Sequence, residues 1–185
     1  MSKISAFEPL KNFVHTLLSN TEIHIKLMHM KSAGKIIIAG VVGTSLMTLY
    51  SYLKSEKEDE QFREPELLNE LIDRSKLFPT IKEESTHPAG WGAHYAIGIS
   101  FVTAYHFLWR NSLCRPSIAR TLVVGSVSGL IGIASWKIFF SQHDNPPHNN
   151  RLGYYRQLFI AHLIFTAAAV LTYKGLGSCH RPDQA

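Results

Sequence analysis

The sequence predicts an all-α integral membrane protein: a four-helix bundle with an amphipathic N-terminal helix and a second amphipathic helix in its first outer loop. Three observations predict it. Charged residues make up 18% of the 185-residue chain, yet the stretches 36–53, 88–109, 121–140 and 157–173 contain only one of them, Lys137. Each stretch approaches the roughly 20 apolar residues that a helix needs to cross a hydrocarbon core about 30 Å thick. Aromatic residues collect at their ends (Tyr50, Tyr52, Trp91, Trp109, Trp136, Tyr154, Tyr155 and Tyr173), the positions of a membrane–water interfacial belt. The mean hydropathy of −0.01 hides the pattern, because it averages apolar stretches with charged segments between them.

Helices are required because lipid offers the backbone no hydrogen-bond partners. The competing reading is four buried helices of a soluble bundle. Such helices normally keep a charged face at helical period, and these do not. A cleaved signal peptide is not expected. The first stretch begins after 35 residues, and Tyr50, Tyr52, Leu53 and Lys54 follow it instead of small residues.

In chain order, residues 1–34 form an amphipathic cytoplasmic or interfacial arm. Within it Phe7, Leu10, Val14, Leu17 and Leu18 repeat at three and four, the spacing of one helix face lying in a membrane surface or on a partner. Residues 35–176 form the four-span domain, including the outer loop 54–87, and 177–185 a short tail. In that loop Glu64-Pro65 opens a helix, since proline is tolerated in a first turn. Leu67, Leu68, Leu71 and Ile72 make its apolar stripe, and Lys76-Leu77-Phe78-Pro79 ends it. This helix is expected to cover the bundle mouth or a partner. Residues 54–60 read as a solvated charge run.

Lysine and arginine set the orientation. The N-terminal arm, the acid-free link carrying Arg110, Arg115 and Arg120, and the tail fall on one side of four spans. Together they hold ten bases against eight on the other side. The short arginine-rich link places that side, with both termini, in the cytoplasm of an inner-membrane protein. The two cysteines, Cys114 and Cys179, then belong to a reducing compartment and are expected as thiols. Net charge is +5 and the isoelectric point about 9.2. Because the bases flank apolar spans, anionic headgroups of the lipid bilayer are the simpler partner, and no nucleic-acid role is expected.

Small residues mark helix contacts, since close backbone approach drives association in lipid. These are Gly40 and Thr44 on the first span, Gly98 on the second, and Gly125, Gly129 and Gly132 on the third. They face the bundle interior or a second copy.

Ionisable residues inside a membrane are functional candidates by default. The second span carries His94, Tyr95 and His106. His94 and His106 stand about 120° apart in azimuth and about 18 Å apart in height, so they cannot share one ion. His162 on the fourth span matches His94 in depth and is the candidate partner. His87, His143 and His148 of the outer loops are weaker metal candidates above them, and imidazole suits zinc, copper, iron or haem. The bland alternative is a neutral histidine bonded to a neighbouring helix. No phosphate-binding glycine loop, nucleophile elbow or HExxH occurs, so nothing points to catalysis.

Two stretches carry a resemblance. Residues 37–49, with Ala39-Gly40, Thr44 and Met47-Thr48, and residues 90–101, with Gly90, His94-Tyr95, Gly98 and Phe101, resemble spans of a family of small uncharacterised bacterial inner-membrane proteins. The resemblance implies a four-span inner-membrane protein and singles out His94 and Tyr95. The leading expectation is a structural or accessory component of a homo- or hetero-oligomeric membrane assembly. The alternatives are a small transporter or channel with a histidine-lined path, and a haem- or metal-binding redox protein.

Overall fold

The computed structural model describes residues 31–75 and 85–177. The arm 1–30, residues 76–84 and the tail from 178 lie outside them, and with these the expected N-terminal amphipathic helix and Cys179. The described residues form six helices and no strand: α1 Ser32–Glu58, α2 Glu64–Asp73, α3 Pro88–Leu108, α4 Arg110–Cys114, α5 Ile118–Gln142 and α6 Arg151–Gly175.

Helix α1 runs past the apolar stretch at both ends. Lys54 pairs with Glu58 one turn on, and Asp59 takes the left-handed conformation (φ 52°) that closes the helix. Glu64 and Glu66 sit in the first turn of α2 with Pro65, as an N-terminal dipole favours. Asn150 and Ser117 cap α6 and α5 by accepting from Gly153 N–H and Arg120 N–H. The short α4, which the sequence did not suggest, fills the link between α3 and α5.

Helix α6 is the hub, packed along α1 and α5, while α3 packs on α1 and α2 packs on α3. Small residues allow each approach. A methyl at Gly40 would meet the Ile99 backbone at 2.8 Å, and one at Gly98 would strike Thr44 Oγ1. Gly125, Gly129 and Gly132 face Leu163, Phe159 and His162 of α6. The stripe therefore lies inside the bundle. Helices α3 and α5 barely approach one another. Their link is Tyr105, whose hydroxyl lies 2.6 Å from Ser128 Oγ and 2.9 Å from Thr166 Oγ1. Ser128 donates its proton to the Val124 carbonyl, so Tyr105 donates to Ser128 and accepts from Thr166.

The bundle buries polar side chains beside its hydrophobic core and exposes many apolar ones. Thr44, Thr48, Ser51, His94, Ser128, Gln157, His162 and Thr166 are buried, while Ile38, Leu46, Leu49, Ile97, Leu122, Val123, Leu130, Ile131, Ile160 and Leu171 are exposed. A water-soluble bundle carries a charged outer face instead, so this surface fits hydrocarbon.

Three helices, α1, α5 and α6, are long and apolar enough to cross a membrane. The 21-residue α3 is free of charge and, at about 31 Å, long enough, but it does not stand with them. Its histidines, glycines and hydroxyl-bearing residues lower its hydropathy.

Two expectations need correction. Trp136, Tyr154 and Tyr173 do not form an interfacial belt. They are buried, and Trp136, Phe140 and Tyr154 pack ring against ring with centroids 5.1 to 6.1 Å apart, because a helix end roofed by other segments is no longer at the interface. Cys114 is disulfide-bonded, not a thiol. Disulfides persist in oxidising compartments, so this finding opposes the charge-based orientation.

Candidate functional site

Where α3 and α5 diverge, α2 roofs the gap. Asn69 fixes that roof: its Nδ2 donates to the His87 carbonyl at 2.9 Å, and its Oδ1 accepts from Gly90 N–H at 2.7 Å. A methyl at Gly90 would strike the Pro65 carbonyl, so glycine is what lets α2 settle on the start of α3. Beneath the roof lies a cavity of about 220 Å³, lined by Glu64 and Leu68 of α2, Thr44 and Met47 of α1, and His162 of α6. Its two flanks are His94, Ile97, Gly98 and Phe101 of α3 and Gly132, Ser135, Trp136 and Phe139 of α5. Ile97 and Phe139 are exposed on the outer surface, so the cavity opens sideways between α3 and α5.

The structure thus brings His94 and His162 to one chamber. Thr48 Oγ1 has one proton and donates it to the Thr44 carbonyl at 2.8 Å. His94 Nε2, 2.9 Å from the same oxygen, must therefore donate, which leaves Nδ1 of the neutral ring as an acceptor. His162 Nδ1 lies 2.9 Å from the Leu158 carbonyl one turn back and donates to it, leaving Nε2 as the acceptor. That ring lies flush on Gly132, where a methyl would stand 2.8 Å from Nε2. Both rings are fixed through one nitrogen and keep a lone pair on the other.

Glu64 was not foreseen. A glutamate at a helix start normally faces water, but here it is 1% exposed. Its Oε1 accepts from Ser51 Oγ at 2.8 Å and Gln157 Nε2 at 3.3 Å, and Gln157 also donates to Ser51 at 2.5 Å. Its Oε2 is buried without a hydrogen-bond partner, as are Thr44 Oγ1 and Gln157 Oε1. Burial raises the carboxyl to about 7, partly offset by hydrogen bonds from its own backbone, Ser51 and Gln157. Ser51 has one proton, and Glu64 Oε1 at 2.8 Å is nearer to it than the Met47 carbonyl at 3.1 Å; with that proton and the Gln157 amide on Oε1, the proton of the neutral acid belongs on Oε2. The only sequence signals were Ser51 and Gln157, polar residues inside apolar stretches.

The inner end of the chamber is aromatic. Phe101 meets His162 edge-on at 5.5 Å and Phe165 at 6.1 Å, and Tyr105 meets Phe165 at 6.2 Å. His106 lies beyond this floor, with Nδ1 2.9 Å from the Tyr173 hydroxyl. Tyr95 turns away to Ser45 at 3.0 Å. His87 caps α3 by accepting from Ala89 N–H at 3.3 Å. His143 donates Nε2 to the Leu71 carbonyl at 3.0 Å and accepts from Asn145 N–H at 3.1 Å, and His148 is exposed. Among the described residues no three His, Cys, Asp or Glu side chains stand close enough to hold a metal ion.

No family model, curated protein or solved structure matches the chain. The likeness of two spans to small bacterial inner-membrane proteins therefore rests on those short motifs alone.

Proposed function

We propose that the protein is a four-span inner-membrane protein, with α3 as the fourth span, that serves as a non-catalytic accessory component by binding a small lipophilic molecule between α3 and α5. One observation carries this reading. The chamber holding His94, His162 and Glu64 opens sideways, where hydrocarbon would surround the bundle, and ends on an aromatic floor. A blind pocket entered from the lipid phase suits capture, not conduction. The channel reading would need Phe101, Tyr105 and Phe165 to part so that His106 joined His94.

Four spans place both termini on one side. Arg110, Arg115 and Arg120 argue that this side is the cytoplasm, and the Cys114 disulfide argues against it. We keep the arginines as the guide, because loop charge acts directly on helix insertion; on the cytoplasmic side the disulfide would then be a transient one. At that end a cleft of about 510 Å³, lined by Phe107, Trp109, Arg110, Arg120 and Val123, combines basic and apolar groups as an anionic lipid requires.

The test is reconstitution into liposomes. Proton and small-ion flux should equal that of empty liposomes, while lipophilic aromatic compounds should raise the melting temperature of the purified protein. Flux well above background that His94→Ala or His162→Ala alters, in protein that still folds, would replace this reading with the transporter.

A further inference from the structure

The lateral cavity has a chemistry narrower than lipophilicity. Half of its apolar side chains are aromatic, namely Phe101, Trp136 and Phe139, and the rest are Met47, Leu68 and Ile97. Its volume of about 220 Å³ compares with the roughly 150 Å³ at which an engineered apolar cavity takes up benzene, so it suits one substituted ring. Two imidazoles line it, each fixed through its N–H to Thr48 or Leu158, so what each has left to offer is an acceptor. Glu64 adds a buried oxygen without a partner.

A ligand with only carbonyl oxygens would leave both imidazole lone pairs unanswered, and a plain hydrocarbon would leave all three groups so. Leaving buried polar groups unpaired is what makes a site reject the wrong ligand. A metal ion would need a third donor close by, and the described residues supply no such group.

Building on the binding role above, we propose that the cavity holds the ring of a lipophilic hydroquinone, whose two O–H groups donate to His94 Nδ1 and His162 Nε2. Glu64 donates through Oε2 to a ring oxygen in its neutral form. The lipophilic tail leaves between Ile97 and Phe139. Binding alone is inferred, with no electron transfer.

Calorimetry on the full chain in detergent, against matched empty micelles, tests this with three probes: a decyl hydroquinone, its di-O-methyl ether and the corresponding decyl quinone. The hydroquinone should bind about tenfold or more tightly than the other two, the effect of one well-made buried hydrogen bond. His94→Ala and His162→Ala should each reduce that preference. Ile97→Trp, at the exposed rim, should weaken all three probes. Melting temperatures identify any histidine variant that fails to fold, and the ligand ranking on the unaltered protein together with the rim variant then still decides. Equal binding of the three probes, weakened by Ile97→Trp, would overturn the donor recognition and leave the pocket standing. If no probe binds, the pocket falls as well.

Discussion

Glu64 of α2 and Ser51 of α1, 13 residues apart in sequence, meet at 2.8 Å in a fully buried hydrogen bond. The bond ties the roof helix to the bundle and places a carboxyl group where water does not reach.

That burial makes stability depend on pH. The folded state holds the Glu64 proton up to about pH 7, whereas an unburied glutamate releases it near 4.5. Between these values the folded state binds more protons than the unfolded one, so stability falls as pH rises through the window and levels off above it. The difference corresponds to roughly 3 kcal/mol at most. Glu64→Gln keeps an acceptor for Ser51 and cannot ionise. It should flatten the profile between pH 5 and 8 and raise stability at the alkaline end. Urea or thermal unfolding in detergent across that range checks the expectation, and an unchanged slope in the variant would show that Glu64 is not its source.

The Thr44–Gly98 contact should behave as a coupled pair. Gly98→Ala alone drives a methyl into Thr44 Oγ1 and should destabilise by about 1–3 kcal/mol, as overpacking does. Thr44→Ala removes the obstructing oxygen, which has no hydrogen-bond partner. The double variant should therefore recover much of the loss, giving a favourable coupling of about 1 kcal/mol in a double-mutant cycle. Strict additivity would mean that α1 and α3 pack differently.

Orientation can be read from two reporters. A fluorescent protein fused to the C-terminus should fluoresce if that end is cytoplasmic, and a phosphatase that needs an oxidising compartment should stay inactive there. Alkylating intact cells before lysis reports the state of Cys114. An active phosphatase together with protected cysteines would invert the assignment and leave the cavity near the cytoplasmic face.

The sequence by itself determined that this chain is helical and where its uncharged helices run. A row of apolar residues without charge is a local property, and its period and length need no neighbours to be read. It also placed His94 and His162 at matching depth and marked Gly98, Gly125, Gly129 and Gly132 as close contacts. It did not reveal that Trp136, Tyr154 and Tyr173 turn inward, because an aromatic at a helix end looks the same whether lipid or another helix covers it. Glu64 was hidden for a similar reason. Its helix-start position suits a solvated acid, and only the docking of α2, through Asn69 and Gly90, takes that acid out of water. The cavity belongs wholly to the tertiary structure. It exists because α1 and α6 hold α3 and α5 apart above the Tyr105–Ser128 contact, and a space between two helices is not a property of either one.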